Sequence, residues 1–243
     1  MITFADAGAW GAVWADDDAT LALAGGDDAG TPAETDGPAL IAAAALTADS
    51  DDRSWSLQTD QLQLTISPLG PPITAAELGG FDQLCRVHGR WSGDQRQPLH
   101  CVGRRSSRSP RPDLGRFASL TDVSAWFGED DGAALTALRP SGAVNHAGDL
   151  RSAALFAPGD PSAVAEPRLS VTYSGNGEPL RVGLELWLET NEEDELYPHR
   201  LACAAAGASL SWVHGDLELT ARRMLCQGRR GRGDGIYLRA RRR

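Results

Sequence analysis

Hydrophobic and polar residues alternate along this chain with a period of two, and no segment sustains the 3.6-residue period of an amphipathic helix. The longest run is Phe81 to Trp91, with Phe81, Gln83, Cys85, Val87, Gly89 and Trp91 on one face and Asp82, Leu84, Arg86, His88 and Arg90 on the other. It predicts a long strand with one buried face. Leu99 to Arg105 is its return strand, and Ser92-Gly93-Asp94 supplies the turn chemistry between them. Leu62, Leu64 and Ile66 mark a second half-buried strand that Pro68 ends, because proline cannot donate to a ladder. Trp10, Ala12 and Trp14 alternate with Gly11 and Val13, and Asp16-Asp17-Asp18 turns them into Thr20 to Ala24, a hairpin.

The same pattern fills the rest of the chain. Ala118 to Phe127 and Ala133 to Leu138 flank the turn-forming Gly128-Glu129-Asp130-Asp131-Gly132. Leu169, Val171 and Tyr173 lead through Gly175-Asn176-Gly177 into Leu180 to Glu189, the most regular hairpin of the sequence. Leu217 to Ala221 and Ile236 to Ala240 read as further strands. Pro38 to Thr47 is ambiguous, since alanine favours helix while the short length and flanking proline favour a buried strand. Only Asn191 to Leu196 invites a short helix, and Gly25 to Gly37 reads as a surface loop. About sixteen short strands joined by Gly, Asp and Pro turns predict an all-β, antiparallel barrel or sandwich protein. The Ser-, Pro- and Arg-rich stretch Ser106 to Arg116 divides it into two halves, residues 1–110 and 111–243.

Composition narrows the partners. The net charge of −10 argues against a general nucleic-acid binder. Every cation is an arginine, a bias that reads as the codon usage of a GC-rich bacterial genome. Charge is unevenly spread: no cation precedes Arg53, whereas Arg222 to Arg243 is densely basic. Those arginines are either the solvent face of the last strands or a dock for an acidic partner. Four cysteines behind a start that lacks a charged-then-apolar leader predict a cytoplasmic protein with reduced thiols. The longest apolar run, Ala39 to Leu46, is far short of the roughly 20 residues a membrane span needs.

Candidate chemistry is sparse. No Gly-x-Ser-x-Gly elbow, phosphate-binding loop or dinucleotide fingerprint occurs, so no cofactor is expected. Cys85-x-x-His88 with His100-Cys101 has the look of a zinc site, but strand period sends positions 85 and 88 to opposite faces, and no metal is expected. Glu185, Trp187 and Glu189 share a strand face, with carboxylates roughly 7 Å on either side of the indole. Facing a cavity, Glu185 would be a candidate general acid; facing water, it is a solubilising charge. Tyr197 and His199 follow as candidate proton donors or as caps of the next strand. Gln83 lies on the apolar face of the central strand, where a buried amide needs a partner: backbone, water or ligand. Among seven tryptophans, Trp91, Trp126 and Trp187 are candidates to shape a ligand cavity, with core filling as the alternative.

With these residues in view, the sequence resembles the lipocalin-like superfamily that includes hydroxyneurosporene synthase, a carotenoid hydratase, and related cyclases of natural-product pathways. The resemblance is carried by the two-half all-β layout, by Gly79-Gly80-Phe81-Asp82-Gln83-Leu84-Cys85-Arg86-Val87-His88-Gly89 and by Gly183-Leu184-Glu185-Leu186-Trp187. It implies two antiparallel lipocalin-like barrel or sandwich halves, an apolar polyene or terpenoid ligand held between or within them, and acid/base residues that promote hydration, isomerisation or cyclisation. The expected function is therefore cofactor-free binding of a hydrophobic small molecule, a terpenoid, polyene or lipid, with Glu185, His199 or Tyr197 as proton donor or acceptor. A second copy of the chain is admitted as a partner. The alternative is a non-catalytic module docking an acidic partner through its Arg-rich last strands.

Overall fold

A computed structural model describes residues 1–5, 9–16, 18–25, 39–48, 54–75, 77–92, 97–143, 146–158, 162–188 and 198–243. Outside them lie Gly93 and Asp94 of the expected turn, most of the expected 25–37 loop, Glu189, residues 191–196 where a short helix is expected, and Tyr197. The described residues form seventeen strands and only two single-turn helical segments, Leu114–Arg116 and His146–Gly148.

The first nine strands are β1 (Ile2–Ala5), β2 (Ala9–Ala15), β3 (Ala19–Gly25), β4 (Ala39–Ala48), β5 (Trp55–Gln58), β6 (Leu62–Pro68), β7 (Ile73–Thr74), β8 (Phe81–Trp91) and β9 (Gln97–Ser107). They pair in the order β6-β5-β4-β3-β2-β1-β9-β8-β7, and a further β6–β8 ladder closes eight of them into a ring, with the two-residue β7 paired to β8 outside it. The other eight are β10 (Phe117–Trp126), β11 (Gly132–Pro140), β12 (Leu150–Phe156), β13 (Ser162–Tyr173), β14 (Pro179–Leu188), β15 (His199–His214), β16 (Leu217–Gly228) and β17 (Gly231–Arg242). They close into a barrel in sequence order. The connection over 108–116 joins the two sheets. The all-β, two-barrel layout is as the alternation predicts, and the ambiguous alanine run resolves as β4, with Leu40, Ala44 and Leu46 packed on the first core.

Eight strands leave an interior that side chains can fill. Phe4, Leu21, Leu23, Leu57, Leu64, Ile66 and Val87 fill the first barrel, and Leu135, Leu184, Leu186, Met224 and Tyr237 the second. Close approach makes two glycine positions obligatory. A Cβ on Gly11 would sit 2.7 Å from the Phe4 ring, and one on Gly80, whose φ is +80, would sit 2.1 Å from the Ser107 carbonyl oxygen.

The barrels meet on their outer faces. Trp10, Ala12, Ala22 and Ala24 of β2 and β3 pack against Trp126, Trp212, Leu219, Ala221, Ile236 and Leu238 of the second barrel. Each large side chain buried there stabilises the pairing by roughly 1.5–3 kcal/mol. Strands of this interface are therefore apolar on both faces, and β1 sends Ile2 and Phe4 inward while Ala5 faces the partner barrel.

One expectation is corrected. Cys203 and Cys226, directly opposite on β15 and β16 with Cα atoms 4.0 Å apart, form a disulfide, so the four thiols are not all reduced. Register, which the sequence does not display, brings them together. Arg232-Gly233-Asp234 lies inside β17, and Asp234 pairs with Arg223.

Candidate functional site

A cavity of about 440 Å³ opens where the two barrels diverge. Its apolar wall includes Trp14, Leu114, Leu120 and Leu217, and its polar wall Asp16, Arg108, Asp122 and Thr136, with Arg242 and Asp216 among the further lining residues. Both barrels and the 108–116 connection contribute, so the site exists only in the assembled molecule.

Arg108, Asp122 and Thr136 of that polar wall belong to a buried ionic cluster. Arg104 on β9 is 1% exposed. Its Nε and Nη2 donate to Asp82 Oδ1 at 2.9 and 2.6 Å, and its Nη1 donates to Asp122 Oδ1 at 2.6 Å and Ser124 Oγ at 2.8 Å. Arg108 donates through Nη2 to both oxygens of Asp82 and to Thr136 Oγ1, and the Thr136 hydroxyl donates to Asp122 Oδ2 at 2.7 Å. Two guanidinium groups thus balance two carboxylates. Burial opposes the charge on Arg104, but Asp122 and Asp82 outweigh it and raise its pKa. The cluster ties β8 and β9 of the first barrel to β10 and β11 of the second. It fixes the far wall of the cavity.

On the facing wall, three side chains make a chain of hydrogen bonds across the interface. Asp16, at the end of β2, places Oδ1 2.5 Å from Nε2 of His214, the last residue of β15, and His214 Nδ1 lies 2.8 Å from Thr20 Oγ1 on β3. His214 is buried, at 8% exposure. Burial alone would raise the Asp16 pKa, but the hydrogen bond and charge of His214, with lesser help from the Asp18 amide and Arg111, bring it below the ordinary carboxylate value. Arg111 Nη1 stands 4.0 Å from Asp16 Oδ2. An ionised carboxylate is therefore held at the edge of a partly apolar cavity, where a bound molecule would meet it.

The residues singled out from sequence lie elsewhere. Glu185 and Trp187 share the outer face of the second barrel; Glu185 accepts from Arg200 Nε at 3.1 Å and lies 3.8 Å from Arg168 Nη1, whose guanidinium carbon is 6.0 Å from the centre of the Trp187 ring. His199 opens β15 opposite Leu186 of β14. Gln83 finds a backbone partner, donating from Nε2 to the Gly70 carbonyl at 2.8 Å. Trp91 packs in the first barrel's core, and Trp126 lies between the barrels with its indole N–H donating to the Ala5 carbonyl at 3.2 Å. None of these six residues lines the inter-barrel cavity. Cys85 and Cys101 point into the first core while His88 and His100 face outward, opposite one another. Among the Arg-rich last strands, Arg222, Arg223, Arg230, Arg241 and Arg242 each pair with a carboxylate of the same chain.

Sequence reading missed Asp16, Thr20, His214, Arg104 and Asp122. Asp16 carries only the signal of a turn residue, and His214 stands 198 positions away from it. No helix of the described residues is long and apolar enough to cross a membrane.

No family model matches the sequence, and neither does any curated protein. The structure, however, is similar to two solved ones. Kievitone hydratase from Nectria haematococca superposes with a TM-score of 0.63 at 7% identity, covering 99% of this chain and 87% of that one. A Nitrosomonas europaea protein bearing the AttH designation superposes with a TM-score of 0.62 at 10% identity, covering 98% of this chain and 90% of that one. The likeness is one of fold over nearly the whole chain. It is the two-barrel fold that the resemblance implied.

Proposed function

We propose that this protein encloses one small organic molecule in the cleft between its barrels and acts on it without a cofactor, by acid/base chemistry of the hydration or isomerisation class. The observation that carries this reading is the 440 Å³ cavity shared by both barrels, with the Asp16 carboxylate fixed on its wall by a histidine of the opposite barrel. Its volume is that of a site for a drug-sized ligand, about 300–1,000 Å³. Its mixture of Trp14, Leu120 and Leu217 with buried polar groups suits a mainly apolar molecule with one polar end, a description that a terpenoid or oxygenated polyene fits. The fold shared with a hydratase agrees with this class, although fold alone does not transfer an activity. The packed barrel interiors direct the ligand to the interface.

The test is native mass spectrometry of the protein purified from its own host, followed by organic extraction and identification of what it carries. A discrete ligand near one per chain is expected, and it should be lost from Leu114→Trp, which fills the cavity from the 114–116 turn. A clean apo mass, or a ligand retained by that variant, would overturn the reading.

A further inference from the structure

Resting on the reading of the cleft as a ligand site, we propose that Asp16 is a general base that takes a proton from a carbon atom of the bound molecule, with His214 and Thr20 as its positioning residues.

The geometry makes three points. First, Asp16 lines the cavity, whereas His214 is buried behind it, so the carboxylate is the group that meets a ligand. Second, His214 uses both ring nitrogens: Nε2 on Asp16 and Nδ1 on Thr20. A neutral ring bonded to an ionised Asp16 carries its proton on Nε2 and donates it to the carboxylate, while Nδ1 accepts from the Thr20 hydroxyl. The threonine thus holds the ring in place, its hydroxyl able to donate or accept as the ring requires. Third, the hydrogen bond to Oδ1 leaves Oδ2 as the oxygen with Arg111 as its nearest cation, at 4.0 Å. The groups that act on this carboxylate are His214 from β15, the Asp18 amide from its own hairpin and Arg111 from the connection, and the Met1 ammonium, Arg108 and Asp122 line the same cavity. Asp216 and Arg242 line the same cavity but pair with one another at 2.7 Å.

The proposed step balances without a further reactant. The carbon-bound proton moves to Asp16, and the electron pair it leaves enters the neighbouring bond of the ligand. The carboxylic acid so formed returns the proton to another carbon of the ligand, which is isomerisation, or to a hydroxyl on the adjacent carbon, whose C–O bond breaks so that water leaves, which is elimination. Stabilised as the anion by His214, Asp16 is a weak base whose conjugate acid gives the proton back readily.

A probe exists that needs no knowledge of the natural ligand. In 5-nitrobenzisoxazole a base removes the ring C–H proton, the electron pair forms a nitrile, the N–O bond breaks, and a coloured cyanonitrophenolate leaves. Wild-type protein is expected to catalyse this elimination with kcat/KM flat from pH 8 down to pH 5 and falling only below the ordinary carboxylate range. Asp16→Asn should lose about 100-fold or more. His214→Gln should lower the rate and move the acid limb upward, toward the ordinary value, and Thr20→Val should move it the same way by less. Glu185→Gln should leave the rate unchanged. Circular dichroism checks that each variant is folded, and if His214→Gln is not, Thr20→Val supplies the pH comparison. Should Asp16→Asn retain the rate while saturation-transfer NMR shows the probe bound, the base assignment falls and the ligand site stands. A probe that does not bind the wild type overturns both. A slower His214→Gln with an unmoved acid limb removes the positioning role alone.

Discussion

Two ionic clusters in this protein are both built from arginines and carboxylates, and their surroundings differ completely. Around Arg104, two arginines and two aspartates are buried between barrels, with Arg104 and Asp82 each 1% exposed and Asp122 fully buried. Around Glu185, two arginines and two glutamates sit on the outer wall of the second barrel, with Glu185 at 38%, Arg168 at 55%, Glu166 at 61% and Arg200 at 71% exposure. A charge in the first cluster has no water to fall back on, so losing one partner strands the others. In the second, water replaces any lost partner, and salt screens what attraction there is. The polar side of a β-strand is thus not a single environment. It is solvent for one barrel wall and a second core for another.

The largest effect that should separate the two clusters is Arg104→Met, which leaves Asp82 and Asp122 with less than their full set of donors and should cost about 3–5 kcal/mol. Urea denaturation reads this as a lower midpoint; an unchanged midpoint would mean the cluster is wetter than its geometry indicates. Thr136→Val comes next. It removes the hydroxyl that Asp122 and Arg108 share while keeping the shape of the side chain, at a cost of about 1–3 kcal/mol in the same measurement.

A smaller, pH-confined effect is expected at Asp16. Its pKa is lower in the folded protein than the ordinary 3.8, so its ionised form contributes stability that is fully present above that value and is lost as pH falls through the folded pKa. The stability difference between wild type and Asp16→Asn should therefore be constant at neutral pH and shrink below about pH 4. A constant difference across the acid range would show that His214 does not hold the charge. At the small end, Glu185→Gln should leave the urea midpoint within the variation that added salt produces.

Much of the fold could be read locally. The alternation from Phe81 to Trp91 and from Leu180 to Leu188 specifies strand, face and hairpin partner within a few residues. Other strands resist it: β1 has four residues, β12 reads Leu-Arg-Ser-Ala-Ala-Leu-Phe, and β15 is rich in alanine on both faces. What period two cannot reveal is the fate of the second face. In β8 the face of Asp82 and Leu84 is buried against the second barrel, while that of His88 and Arg90 on the same side is exposed. Only the docking of two barrels decides between them. The candidate site suffers most from this limit, because Asp16, Arg104, Asp122 and His214 come from four distant segments. Glu185 stood out precisely because its neighbours in sequence are regular, which is what a solvent-facing strand requires.

Ring closure has a consequence for assembly. An open sheet ends in a strand whose amides and carbonyls can recruit a strand from another chain, and that route underlies much swapping and fibre growth. Here β6 returns to β8, and β10 returns to β17, so in each ring the outermost ladders are paired within the chain. A second copy of this protein would thus meet mostly side chains on barrel walls; among the described strands the exceptions are β7, paired with β8 alone, and the part of β13 beyond its two-residue ladder to β12.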